Sequence, residues 1–253
     1  MSTTPNSDLL LQESRVDQPL YTPIKRRSFF MYAGATAGAT ALVLAGCSKS
    51  DSSPGRVNVG TGDVGVLNYA YALEQLEAGF YTQVRTGSYY TGASAAEKQI
   101  LDDLYYHEVI HRDFFQAAIT KAGATPIKAL TPDFSKIDFS SKSSVLGAAQ
   151  AFEDLGVAAY NGAGKFITTP AYLVIAGKIV SVEARHAALI RDLVKEGNFV
   201  GPDVINLGSA STMGDNGGLS PLSTEYSKLP SVVVATANNY LAEGSKLDVS
   251  GLG

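Results

Sequence analysis

The chain has no tryptophan, one cysteine and three histidines in 253 residues. A single thiol, Cys47, excludes an intramolecular disulfide and any cysteine-built zinc or iron–sulfur site. A bound metal would therefore have to be held by imidazoles and carboxylates. Charge is also sparse: charged residues make up 17%, the formal net charge is −4, and no Lys/Arg run lies in the body of the chain. That excludes the basic surface a nucleic acid would need. Apolar side chains, in contrast, reach 45%, and 13 tyrosines add bulk with a polar tip. This is the composition of a globular chain with a sizeable core.

The first 61 residues read as an address. A polar stretch to residue 24 is followed by Lys25-Arg26-Arg27-Ser28-Phe29-Phe30, a moderately apolar run, and then Leu44-Ala45-Gly46-Cys47. The arginine pair resembles a twin-arginine export signal, although Lys25 stands where Ser or Thr is commoner. Leu44-Ala45-Gly46-Cys47 resembles a bacterial lipobox, in which Cys47 is lipidated and becomes the mature N-terminus. A plain membrane anchor is the other reading, and the apolar run is at the lower length limit for one. Both place the body outside the cytoplasm, as a cell-envelope protein held to a membrane through Cys47 or its flank. The expected division is an export signal over 1–47, a tether over 48–61, a helical bundle over 62–197 and an irregular extension over 198–253 with one short helix.

Four helices follow from apolar spacing and end signals. Asp63 is expected to cap a first helix carrying Leu67, Ala70, Leu73 and Phe80 on one stripe. Ser94-Ala95-Ala96-Glu97 is a capping box that opens a second helix running to about Gly123. After a long linker with Pro126 and Pro132, Ser143 or Ser144 should cap a third helix through Val145, Ala149, Phe152 and Tyr160. Thr169-Pro170 opens the fourth, which runs to Gly197. Two short turns and one long link predict an all-α bundle of four helices with a single crossover between helices two and three.

Each helix places glutamate on its inward stripe: Glu74 and Glu77, then Glu108 with His111, then Glu153, then Glu183 with His186. Residues three apart share a helical face, so each E-x-x-H pair can hold one metal ion. A glutamate from another helix, Glu153 in particular, would bridge or complete the site. Apolar neighbours such as Val109, Phe152 and Val182 surround these charges, and a buried charge needs a partner. His107 is a possible extra ligand and Glu77 a possible substitute for Glu74. The segment His107-Glu108-Val109-Ile110-His111 also matches the H-E-x-x-H helix of zinc hydrolases. It lacks a downstream third ligand, and that reading leaves the second E-x-x-H unexplained.

The strings Leu67-Asn68-Tyr69-Ala70-Tyr71-Ala72-Leu73-Glu74-Gln75-Leu76-Glu77-Ala78 and Ser181-Val182-Glu183-Ala184-Arg185-His186-Ala187-Ala188 resemble the bacterial ferritin-like domain family. That family includes secreted and lipoprotein members and the desiccation-related proteins. The resemblance implies a ferritin-like bundle with a di-iron centre, its ligands at Glu74, Glu108, His111, Glu153, Glu183 and His186. Oxygen donors with a few imidazoles suit two iron or manganese ions. Such a centre would act as an oxidase or ferroxidase on oxygen or peroxide, linked to stress protection. A non-enzymatic envelope scaffold with a structural or lost metal is the alternative, and a zinc hydrolase a third. The sequence assigns no oligomeric state.

Overall fold

The computed structural model describes residues 55–205 and 224–252. Cys47, the arginine pair and the apolar run before Cys47 lie outside the described residues. The elements in chain order are β1 (Val57–Asn58), α1 (Gly62–Thr86), α2 (Ser88–Gly92), α3 (Ala95–Lys121), α4 (Lys142–Ala163), α5 (Pro170–Val194), α6 (Pro230–Ala237) and β2 (Leu247–Asp248). The long helices α1, α3, α4 and α5 form the four-helix bundle expected from the sequence. α1 packs along α3 and α4 along α5, and the two pairs meet through α1 and α4. The crossover is the long link between α3 and α4. Among the described residues no helix is long and apolar enough to cross a membrane.

Local signals account for most helix ends. Ser94 and Glu97 form the capping box in full at the start of α3, and Pro170 occupies the first turn of α5. Three details differ from the sequence expectation. Asp63 does not cap α1, because Thr61 holds that position. Instead Asp63 accepts hydrogen bonds from the backbone N–H groups of Thr168 and Thr169, at 2.7 and 2.9 Å. It thus ties the start of α1 to the start of α5. The cap of α4 is Ser141, which accepts from the N–H of Ser144, rather than Ser143 or Ser144. The turn after α1 contains one extra helical turn, α2, whose Tyr89 is buried.

α1 is buried continuously from Gly65 to Glu74, as a central helix must be. The crossover supplies one cover. Its backbone N–H groups at Ile127 and Leu130 donate to the side chains of Asn68 and Gln75 on α1. Phe134 and Phe139 pack edge-on and tilted against Phe80. The C-terminal segment supplies another: β2 pairs parallel with β1, and Val233, Val234, Leu241 and Leu247 enter the main core. Gly162 is where this segment crosses α4. A Cβ there would lie 1.8 Å from the carbonyl oxygen of Lys228, and the Lys228 N–H donates to Ala158 O at 2.9 Å. Only glycine permits that approach.

The apolar interior comes in two parts. One holds Leu101, Leu104 and Ile190 among many others; the second holds Leu67, Tyr71, Phe115, Ile119 and Ile179. Along α3, Glu108 and His111 fall between Leu104 and Phe115. Along α5, Glu183 and His186 fall between Ile179 and Ile190. A polar layer therefore interrupts the core.

Candidate metal centre

Glu74 comes from α1, Glu108 and His111 from α3, Glu153 from α4, and Glu183 and His186 from α5. The four glutamate side chains have no solvent exposure, and those of His111 and His186 retain 12% and 4%. Helical spacing points both members of each E-x-x-H pair inward, and antiparallel packing brings the two pairs opposite each other.

The six side chains form two groups of four: Glu74, Glu108, His111 and Glu183; and Glu108, Glu153, Glu183 and His186. Within each group the facing atoms lie within 4.8 Å of one another. His111 Nδ1 is 2.8 Å from Glu183 Oε1 and 3.5 Å from both Glu74 Oε2 and Glu108 Oε2. His186 Nδ1 is 2.9 Å from Glu108 Oε1 and 3.4 Å from both Glu153 Oε2 and Glu183 Oε2. Glu108 and Glu183 thus divide their two oxygens between the groups. The residues shared are the glutamates of the two E-x-x-H motifs. Glu153 belongs to one group only and completes it, the second of the two roles expected for it. Which carboxylate is shared depends on helix rotation and crossing, which spacing does not encode.

The two halves repeat each other. Tyr81, seven residues after Glu74, donates to Glu153 Oε1 at 2.5 Å. Tyr160, seven after Glu153, donates to Glu74 Oε1. Each bond occupies one carboxylate oxygen and leaves Oε2 facing a histidine. Both tyrosines therefore do more than fill the core: each donates to a candidate ligand.

Glu77 is buried too, three residues after Glu74, but it contributes no atom to either group. Its counterpart on α4 is Gly156, and the missing side chain makes the room: a Cβ on Gly156 would stand 3.0 Å from Glu77 Oε1. His107 likewise stays outside both groups. Its Nδ1 lies 2.8 Å from His186 Nε2 instead. A zinc-hydrolase arrangement needs His107 and His111 on one ion, and the geometry separates them.

Two observations show that a cation fits. Within the cluster, eight buried atoms have no hydrogen-bond partner: Glu74 Oε2, Glu153 Oε2, both oxygens of Glu108 and Glu183, and Nδ1 of His111 and His186. The nearest contacts are short but not aligned as hydrogen bonds, so these atoms converge without satisfying one another. An unsatisfied buried polar atom is costly, and a native cluster of them calls for an ion or water. Electrostatics agrees. Burial raises Glu74 and Glu77 well above the usual carboxylate range and pushes Glu153 up to about 8. Burial also disfavours the charged form of His111 and His186, but the surrounding carboxylates outweigh it and hold both well above the ordinary imidazole range. Glu108, facing both imidazoles, is held down at about 2 despite its burial. Four carboxylates around two neutral imidazoles would balance two divalent cations, and the oxygen-rich donor set suits iron or manganese.

The ferritin-like domain family matches residues 62–196, more than half of the chain. No curated protein matches it. The chain belongs to the ferritin-like domain family.

Proposed function

We propose, starting from that membership, that this protein is a di-iron oxidoreductase that uses oxygen or peroxide as oxidant. The observation that carries the reading is the pair of four-residue groups sharing Glu108 and Glu183. The chemistry a redox-active pair of ions supplies when bound is two-electron reduction, in which one peroxide takes up two electrons and two protons and leaves as two waters. The chain's own residues perform the rest. Glu108 and Glu183 would each offer one oxygen to each position and so couple them. Glu74 and Glu153 complete one position each, oriented by Tyr160 and Tyr81. Apolar layers above and below keep bulk water out, which strengthens every charge interaction inside. The partial exposure of His111 leaves the α3 side as the approach for a small oxidant.

We further propose that the protein works in the cell envelope as a lipoprotein, removing oxidant there and limiting oxidative stress. Leu44-Ala45-Gly46-Cys47 and Arg26-Arg27 support that location. A twin-arginine route would export the bundle already folded, with any metal loaded in the cytoplasm.

The test is anaerobic Fe(II) titration followed by stopped-flow exposure to oxygen or peroxide. Two ions per chain and oxidation faster than free Fe(II) are expected. In Glu183→Ala, which loses a shared carboxylate, both should fall. Absence of binding, or rates no faster than buffer, would return the bundle to a scaffold role. Mass analysis of membrane-bound protein should show lipid on Cys47; finding Met1 retained would remove the lipoprotein assignment.

A further inference from the structure

The two positions are alike in donors and unlike in support. His186 Nε2, the nitrogen turned away from the carboxylates, lies 2.8 Å from His107 Nδ1, and the two rings are nearly parallel, with 15° between their planes and centroids 5.0 Å apart. Among the described residues, no group hydrogen-bonds Nε2 of His111. His107 and His111 stand one turn apart on α3, so one helix supplies a ligand to one position and a support to the other.

The consequence follows from counting protons. A neutral imidazole carries one N–H and one lone pair. For His186 to present its Nδ1 lone pair between Glu108, Glu153 and Glu183, its proton has to sit on Nε2. A buried N–H needs an acceptor, and His107 Nδ1 is at the right distance. His107 is then itself in the Nε2–H form, with that N–H directed away from His186. An outer hydrogen bond of this kind fixes the ring and raises the basicity of the ligating nitrogen.

We infer that His107 is a positioning residue that holds His186 in its metal-binding tautomer, so that the His186 position binds a cation more tightly than the His111 position. This rests on the di-metal reading above. The order of loading follows: the His186 position fills first, and the His111 position, less buried and without an outer partner, exchanges its ion more readily.

Co(II) serves as the probe, because its bound imidazole N–H protons give hyperfine-shifted resonances. Calorimetric titration of the wild-type chain should resolve two unequal sites. In His107→Ala the tighter site should weaken about 10–100-fold, as loss of an outer partner typically does, and the weaker site should keep its affinity. His107→Asn carries an oxygen close to where Nδ1 stood and should restore most of the loss. The exchangeable resonance of His186 Nε2–H should persist in wild type and the Asn variant and vanish by fast solvent exchange in the Ala variant. His107 is at the surface of α3, and circular dichroism of the metal-free variants checks that the bundle stays folded. Two sites with unchanged affinities and a retained resonance in His107→Ala would overturn the inference alone. So would equal losses in the Ala and Asn variants, or complete loss of one ion, which would make His107 a ligand. A wild-type chain that takes up no Co(II) would overturn the di-metal reading and this inference with it.

Discussion

Two buried polar clusters lie close together in this bundle, and they are resolved in opposite ways. Arg191 is 2% exposed, yet its guanidinium holds Asp154 through both oxygens at 2.7 and 2.8 Å and Asp203 at 2.6 Å. Asp154 is the neighbour of Glu153, and Arg191 stands five residues beyond His186. One residue away along α4, Glu153 Oε2 has no hydrogen-bond partner. The arginine cluster closes upon itself and ties α4 and α5 to the segment after α5. The glutamate–histidine cluster gathers four carboxylates around two imidazoles. Protein groups complete the first, whereas the facing atoms of the second have no hydrogen-bond partner among the described residues.

The largest effect should come from breaking the closed cluster. Arg191→Met keeps much of the volume but leaves Asp154 without its partner, and removing one member of a buried pair costs about 3–5 kcal/mol. The lower end is expected, because Asp203 is 61% exposed and can turn to water. Urea unfolding of the metal-free protein measures it. A loss below about 1 kcal/mol would break the comparison. The open cluster should show the reverse: it gains stability from a ligand. Mn(II) at a hundred times its dissociation constant should add about 2.7 kcal/mol, and Glu183→Ala should abolish most of that gain without unfolding the helices.

Acidity sharpens the contrast, because the clusters respond to pH with opposite signs. Hydrogen bonds from Arg191 hold Asp203 below the usual range. Its contribution is therefore full above the unfolded value of about 3.9 and is lost as pH falls through the folded value. Glu153, raised by burial to about 8, behaves as an acid that is easier to protonate when folded. Stability from it is full below the unfolded value of about 4.3 and is lost as pH rises through about 8. Glu74 has the same sign. So do the raised imidazoles of His111 and His186, while Glu108 alone opposes it. The melting temperature of metal-free protein should fall between pH 5 and pH 8, and Mn(II) should flatten that slope. Equal slopes with and without the ion would contradict the assignment of the cluster.

What could be read from residues alone was whatever is local. The capping box at Ser94, the Thr169-Pro170 start and the two E-x-x-H pairs are each set within a few positions, and each appears where its pattern says. The four inward stripes follow from helical period, which is why all six candidate ligands converge. What escaped depends on distance in sequence. Asp63 carries a cap-like signal but spends it on Thr168 and Thr169, over a hundred residues away. Three serines, Ser141, Ser143 and Ser144, are chemically equivalent as caps, and only packing chooses among them. Gly162 is the crossing point of a segment whose arrival no local pattern announces. The sharing of Glu108 and Glu183, and the support of His186 by His107, need the relative rotation of α3 and α5.

The smallest effect tests where the open cluster ends. Glu77 is buried like the ligand glutamates, and burial, with those four beside it, raises its pKa well above the usual carboxylate range, the direction shared by Glu74 and Glu153. It differs in geometry: it offers nothing to either group and occupies the space left by Gly156. Glu77→Gln keeps the shape and removes an ionisable group from a dry site. Metal-free protein should gain about 1 kcal/mol or less near neutral pH, since the amide no longer has to take up a proton to be buried uncharged, a gain offset by imperfect amide hydrogen bonding. Metal stoichiometry should stay at two. Glu183→Gln, in contrast, should lose bound metal. Gly156→Ala probes the same spot from the other helix. Replacing glycine inside a helix favours it by up to about 1 kcal/mol, against the shift that a Cβ 3.0 Å from Glu77 Oε1 demands. If the Glu77 carboxylate moves aside, the two terms nearly cancel, and combining Gly156→Ala with Glu77→Ala should then yield the full helical gain. Thermal melts of the four variants, with metal counted by equilibrium dialysis, separate these contributions. A drop to one ion in Glu77→Gln would move Glu77 into the metal centre.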